Sequence, residues 1–176
     1  YLRSLNQDGQ VKFAELVRDV AYRIARFRKP TIAAVHGYVI GLGFMIAVAS
    51  DMRVAAQDAR FKIPEVELGM YPGSGITVIS LKSGSLPSAL YELILTCEEF
   101  DVNKAEKLGI VNKIVQKEKL EEAALSLARK ISLADPVITD QIKKLIRDYP
   151  SIGFDEAENK ETEMHFDYMK RKFLGK

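Results

Sequence analysis

The sequence predicts an α/β fold followed by an all-helical C-terminal region. Short apolar runs rich in β-branched residues alternate with helical patterns up to about Val115, and no strand pattern follows from Lys117 onward. Two glycine-rich segments, residues 37–43 and 65–75, lie within this alternation. Strand–turn–helix repeats of this kind are typical of parallel sheets with helical crossovers. We therefore predict a core over residues 1–115 and a helical region over residues 116–176.

The first predicted helix and strand lie on either side of a proline. Tyr1–Gly9 is polar and predicts a loop, whereas apolar residues recur at intervals of three and four over Val11–Arg28, which predicts a helix. Pro30 ends this helix, because the residue before a proline avoids the helical conformation. Thr31–Val35 is apolar and partly β-branched, and it predicts a strand buried on both faces.

The remaining elements are predicted from helical spacing of three and four residues and from the alternation typical of strands. A turn with three glycines precedes a short helix over Phe44–Ser50. Alternation and β-branching predict three further strands, which are Asp51–Ala56, Arg60–Ile63 and Ile110–Val115. Helical spacing predicts six more helices: one starting near Ile76, then Ser85–Thr96, Lys104–Leu108, Leu120–Leu133, Pro136–Tyr149 and about Phe154–Phe173. Asp101 or Asn103 is the expected N-cap of the shortest helix, and Gly109 its end.

The composition argues against several classes of partner. The chain carries 26 basic and 24 acidic residues, so it lacks the concentrated positive charge that binds nucleic acid or a membrane surface. The longest nearly uncharged stretch, Pro30–Ser50, has glycines at its centre and reads as buried strand, turn and helix rather than a membrane span. The single cysteine, Cys97, is expected to be a small buried residue and fits a reducing compartment, the cytoplasm or an organelle matrix. Because the chain begins at Tyr1, we expect its true start to lie upstream.

The glycine turn Gly41-Leu42-Gly43 separates an apolar run from a helix start. A dinucleotide fingerprint needs a third glycine where Ile46 stands, and a phosphate-binding P-loop needs a glycine followed by lysine and serine or threonine. Two interpretations stay open. The turn is either a site of close strand–helix packing, or an oxyanion hole in which a backbone N–H, with Leu42 suited to donate it, binds a carbonyl oxygen that gains charge.

A carboxylate is the best candidate for a partner acid or base. The two histidines, His36 and His165, lack the neighbours of a nucleophilic triad and are expected to be structural, and no cluster has metal-ligand spacing. Glu65 and Glu67 lie in the second glycine-rich segment among apolar residues, which raise the pKa of a carboxyl group toward the range useful for proton transfer. The alternative is that both are exposed loop acids.

The combination of motifs resembles the crotonase superfamily, the enoyl-CoA hydratase/isomerase family. The similarity covers nearly the whole chain, and its combined pattern is far more specific than the glycine turn alone. The residues that carry it are Lys29–Tyr38, Gly41-Leu42-Gly43, Asp51, Phe61 with Pro64-Glu65, Leu68-Gly69, Pro72-Gly73 with Gly75, Leu95-Thr96, Ala105, Leu108–Val111 and Met169–Phe173.

The resemblance implies a fold, a substrate class and a site. The family folds as a spiral of β-β-α turns with C-terminal helices that build homotrimers, often paired into hexamers, so the helical region is expected to be the oligomerisation region. It binds acyl-CoA thioesters, with coenzyme A as part of the substrate and no separate cofactor or metal. Leu42 matches the second oxyanion donor, and Glu65 matches a catalytic glutamate. The implied substrate-binding positions are Gly41, Gly43, Met45, Pro72 and Gly73. The family's first oxyanion donor lies upstream of the helix that matches Val11–Arg28, and we expect the chain to begin after that loop.

One departure from the family pattern bears on the reaction. Hydratases of the family use two glutamates, and Met45 occupies the position of the first. A single carboxylate suits an enoyl-CoA isomerase, in which one base moves a proton between C2 and C4. Three alternatives remain: a hydratase, a second acid supplied by Glu67, or a member that binds acyl-CoA without catalysis.

Overall fold

The computed structural model describes residue 4 and residues 6–72, 75–82 and 87–173. Within them, the strands are β1 (Ile32–Val35), β2 (Tyr38–Ile40), β3 (Met52–Ala56), β4 (Arg60–Lys62), β5 (Phe100–Asp101) and β6 (Lys113–Val115). The helices are α1 (Gln7–Ala25), α2 (Leu42–Ala49), α3 (Ile76–Lys82), α4 (Pro87–Thr96), α5 (Val102–Lys107), α6 (Leu120–Ser132), α7 (Pro136–Ile152) and α8 (Phe154–Phe173). A 3-10 turn, Lys117–Lys119, precedes α6. The predicted α/β fold with a helical C-terminal region is confirmed.

The strands form two small sheets. The first has the order β1-β3-β6, and both of its pairings are parallel. The second has the order β2-β4-β5, in which β2 and β4 are parallel and β5 is antiparallel. Successive strands of the segment 32–62 therefore alternate between the two sheets.

The chain divides into two compact units. The first consists of Tyr1–Phe27 and Thr31–Ser126, and it contains both sheets. The second consists of Arg28–Pro30 and Leu127–Lys176, and it contains α7 and α8. The predicted division at residues 115 and 116 refers to folding domains and stays a prediction.

Two strands were not predicted from the sequence, and two expectations about elements need correction. β2 and β5 were not predicted, because strands of three and two residues are too short to show a period. The segment predicted as a loop over Tyr1–Gly9 already contains the start of α1, since the side chain of Asn6 accepts a hydrogen bond from Gly9 N and caps that helix. β1 is not buried on both faces: it is an edge strand of its sheet among the described residues, and Ala34 is exposed.

Three phenylalanines join α2 to the second sheet. The ring of Phe61 on β4 stacks on Phe100 of β5 with centroids 5.4 Å apart, and Phe44 of α2 meets both rings edge-on at 6.3 and 6.1 Å. All three are almost fully buried. Aromatic pairs of this geometry contribute about 0.5–1.5 kcal/mol each beyond their buried area. The cluster therefore holds the first turn of α2 firmly against β4.

Candidate active site

The two glycine-rich segments meet where β2 and β4 end. Ile40 pairs with Lys62 in the parallel register, so the residues that follow each strand emerge at the same edge of the sheet. Gly41 N donates to Lys62 O at 3.1 Å and extends the ladder by one bond. The turn that starts α2 and the loop that carries Glu65 are therefore neighbours because of strand pairing, although they are more than 20 residues apart in sequence.

Gly41 adopts a backbone conformation that side chains oppose. Its φ is 54° and its ψ is −117°, a region that glycine visits easily and other residues only with strain. A Cβ atom at this position would lie 3.5 Å from Oε1 of Glu65. The positive φ of Gly41 thus lets the chain enter α2 abruptly, and the Glu65 carboxyl group lies within van der Waals distance of the Cβ position at this turn.

The first turn of α2 presents backbone donors. Met45 N donates to Gly41 O at 2.9 Å, which closes the first turn and leaves the N–H groups of Leu42 and Gly43 ahead of any intrahelical bond. Gly41 offers no side chain to cap them. Leu42 and Gly43 are exposed, whereas Phe44 and Met45 are buried. These donors lie at the positive end of the helix dipole and can bind an oxygen that gains negative charge.

Glu65 combines burial with an unsatisfied oxygen. The residue is half-buried, and its Oε2 atom is buried without a hydrogen-bond partner. Burial raises the pKa of Glu65, while a hydrogen bond from its own backbone N–H acts in the opposite direction. Its backbone is fixed, because Met70 N donates to Glu65 O at 2.8 Å. A carboxyl group in this state is suited to exchange protons with a bound molecule.

The other predicted site residues lie in differing environments. Met45 retains only 3% exposure and packs in the core, so its side chain is not part of the open turn. Pro72 is half-buried, and Gly73 lies outside the described residues. Glu67 forms an ion pair with Lys62 whose Nζ–Oε1 distance is 2.7 Å, which engages the carboxylate that was considered as a second acid. The structure therefore brings together Gly41, Leu42, Gly43 and Glu65.

His36 and His165 are both exposed. No group of three potential metal ligands occurs among the described residues, and none of the described helices is long and apolar enough to cross a membrane.

Lys62 was not predicted from sequence, although its backbone O accepts from Gly41 and its side chain binds Glu67. No sequence signal marks that double contact, because it depends on the register of β2 and β4.

Comparison with protein families gives a match over almost the whole chain. The sequence profile described as Enoyl-CoA hydratase/isomerase matches residues 3–173. Among curated proteins, the chain is similar to carnitinyl-CoA dehydratase of Citrobacter koseri, with 37% identity over 119 residues, which covers 68% of this chain and 45% of that protein. The chain spans about half the length of the curated relatives it matches.

Solved structures give the same result for the fold. An enoyl-CoA hydratase from Polaromonas sp. JS666 superimposes with a TM-score of 0.89 at 28% identity, covering 98% of this chain and 67% of that one. An enoyl-CoA hydratase from Bacillus anthracis superimposes with a TM-score of 0.88 at 25% identity, covering 93% and 63%. The expectation of a crotonase-like fold is thereby confirmed.

Proposed function

Because the chain is a member of the enoyl-CoA hydratase/isomerase family, the crotonase superfamily, we propose that it forms part of an acyl-CoA enzyme that stabilises a thioester enolate. The observation that carries this proposal is the approach of the Glu65 carboxyl group to the open first turn of α2. A proton acceptor and a set of oxyanion donors at one sheet edge are the two parts that enolate formation needs. Coenzyme A enters as part of the substrate.

In the proposed mechanism, the N–H of Leu42 donates to the thioester carbonyl oxygen. That oxygen gains negative charge when the proton on the adjacent carbon, C2, is removed, so the hydrogen bond strengthens as the enolate forms. One donor of this kind lowers the barrier by about 3–4 kcal/mol. No side chain is needed at Leu42, and the exposed backbone of the first turn is where such an oxygen has access.

Glu65 is the proposed acid/base. Its ionised carboxylate takes a proton from C2 of a 3-enoyl thioester, the electrons delocalise into a dienolate, and the resulting carboxylic acid returns the proton at C4. The double bond thereby moves from C3–C4 to C2–C3 without net gain or loss of atoms. The supporting observations are that Met45 cannot exchange protons and is buried, and that Glu67 is bound to Lys62. A single available carboxylate favours this reaction over the addition of water.

Hydration or dehydration is the second candidate reaction. It is favoured by the names of the relatives, which include carnitinyl-CoA dehydratase and enoyl-CoA hydratase. Reversible addition of water requires one group to activate the water and another to deliver a proton to C2. Glu67 would have to leave Lys62 to serve as the second group.

Ultraviolet assays of the intact protein with two substrates separate the two reactions. We expect a 3-enoyl-CoA to be converted to the conjugated 2-enoyl-CoA, seen as a rise in thioester absorbance, and crotonyl-CoA to be hydrated more slowly. Rapid hydration of crotonyl-CoA without isomerisation of the 3-enoyl-CoA would contradict the preference for isomerisation and support the second candidate.

We also propose that α7 and α8 mediate assembly into a homotrimer or hexamer. These helices expose several large apolar side chains, including Ile142, Ile146, Phe154 and Phe166, each more than half exposed. Exposed apolar patches of this kind mark interaction surfaces. Sedimentation at micromolar concentration is expected to give a mass of three or six subunits, and a monomer would contradict the proposal.

A further inference from the structure

The loop that carries Glu65 has a second attachment, which lies just after α4. Cys97 retains 3% exposure and has a φ of 53°, the one positive φ among the described residues other than glycine. Left-handed backbone costs a residue with a Cβ free energy unless the surroundings hold it there. The strained conformation of Cys97 therefore points to contacts that its side chain makes.

Those contacts join the end of α4 to the Glu65 loop. Glu67 N donates to Cys97 Sγ at 3.3 Å, and the thiol in turn donates to Ile94 O at 3.4 Å. The sulfur thus acts as acceptor and donor at once. Through it, the peptide two residues beyond Glu65 is tied to a helix whose inner face is buried.

The side chain of Glu67 is held by a separate contact, with Lys62. Its Oε1 lies 2.7 Å from Nζ of Lys62, and the backbone O of Lys62 accepts the hydrogen bond from Gly41 N. Lys62 therefore links the oxyanion turn to the acid/base loop. Together, the contacts of Cys97 and Lys62 with Glu67 fix the loop two residues beyond Glu65.

We propose that Cys97 is a positioning residue for Glu65, which it holds at the first turn of α2 through the Glu67 N–H. The inference rests on the proposed function, because positioning matters to the reaction only if Glu65 is the acid/base. Proton transfer is sensitive to placement, and a displacement of about 1 Å can cost 10²-fold in rate. A carboxyl group on a loop depends on such supporting contacts more than one on a helix or strand.

Three substitutions of Cys97 separate the hydrogen bond from the backbone strain. Cys97→Ser keeps a donor and acceptor at the same position. Cys97→Ala loses the side-chain hydrogen bonds and keeps the strained Cβ, whereas Cys97→Gly loses both the hydrogen bonds and the strain. Thermal unfolding is measured for each, so that the kinetics are compared only at temperatures where every variant is folded.

Activity is expected to depend on whether the side chain of residue 97 can accept the hydrogen bond from Glu67 N. Cys97→Ala and Cys97→Gly should lower kcat by about tenfold with KM changed less than about twofold, while Cys97→Ser should retain most of the activity. Protection of the Glu67 amide against hydrogen exchange, measured by NMR, should fall by about three- to tenfold in the Ala and Gly variants and persist in the Ser variant.

The outcomes that overturn the proposal are distinct from failure of the proposed function. Equal kcat in all four folded proteins, or activity that follows thermal stability rather than the hydrogen bond, overturns the positioning role of Cys97. Glu65→Gln is assayed in parallel. If that variant retains full turnover, both the acid/base assignment and the positioning role are overturned, whereas an inactive Glu65→Gln with unaffected Cys97 variants overturns the positioning role alone.

Discussion

Glu65→Gln is expected to lower kcat by about 10²–10⁴-fold while the acyl-CoA thioester still binds. The amide has nearly the shape of the carboxyl group but cannot accept and return a proton. Since the proposed oxyanion donor, the N–H of Leu42, is a backbone group of α2, it should remain in place, and binding of the thioester carbonyl should be preserved. Turnover is measured with a 3-enoyl-CoA, and binding by calorimetry with a saturated acyl-CoA.

A matched control is available on α4. Glu92 is an exposed carboxylate that forms an ion pair with Lys104. Glu92→Gln makes the same chemical change away from the site and should leave kcat within about twofold of the unsubstituted protein, because exposed ion pairs contribute little. Undiminished turnover in Glu65→Gln would place the acid/base elsewhere. Thioester binding without turnover in the unsubstituted protein would support the alternative of a non-catalytic acyl-CoA-binding member.

The difference in stability between Glu65→Gln and the unsubstituted protein should depend on pH, in the direction set by the raised pKa of Glu65. Burial raises the pKa of Glu65 in the folded state, so the folded protein binds the proton more tightly than the unfolded chain. The free energy of unfolding therefore decreases as pH rises from the pKa of Glu65 in the unfolded chain to its pKa in the folded protein. Glu65→Gln should be more stable than the unsubstituted protein at neutral pH, and this difference, measured by urea unfolding at several pH values, should vanish below the unfolded pKa.

Arg53→Met is expected to destabilise the first unit by about 3–5 kcal/mol. Arg53 retains 3% exposure, and its guanidinium donates to three carbonyl oxygens: Ser50 O at 2.6 Å, Ala47 O at 3.3 Å and Ile110 O. Two of these oxygens lie at the C-terminal end of α2: Ala47 O also accepts from Ser50 N at 3.2 Å, whereas Ser50 O follows the last helical residue, where carbonyls have no intrahelical donor. Methionine fills the volume but removes the guanidinium donors of Ser50 O and Ile110 O and one of the two donors of Ala47 O, and a buried acceptor left unpaired costs about 1–3 kcal/mol.

Urea unfolding followed by circular dichroism measures this effect. Arg60→Met is the control, because Arg60 lies on β4 of the second sheet, its side chain is 46% exposed and its ion pair with Glu99 spans 3.9 Å. That substitution should change the free energy of unfolding by less than about 0.5 kcal/mol. If both arginine variants unfold at the same urea concentration, the guanidinium of Arg53 is not what holds the end of α2.

The sequence predicted those parts of the site that depend on local backbone chemistry. The turn at Gly41-Leu42-Gly43 could be recognised because glycines are needed where φ is positive, and the structure has such a φ at Gly41. Glu65 could be singled out because apolar neighbours raise the pKa of a carboxyl group, and the structure gives the same direction and cause.

Parts of the fold and site that depend on pairing across the chain could not be predicted. β2 escaped notice because its three residues lie between two glycines and are recognisable only by their register with β4. The hydrogen bond from Glu67 to Cys97 joins residues 30 positions apart and has no sequence signature. The buried role of Arg53 was missed for a related reason, since a charged residue in a strand pattern is normally assigned to a solvent-facing position.

Exchange of the C2 protons of butyryl-CoA in deuterated water, followed by NMR, tests the central claim most directly. Butyryl-CoA lacks the double bond that isomerisation or hydration needs, so exchange reports enolate formation alone. The intact protein should exchange these protons well above the rate in buffer, and Glu65→Gln should not. Equal exchange by both proteins, or none by the unsubstituted protein while it binds butyryl-CoA, would contradict an enolate formed by Glu65.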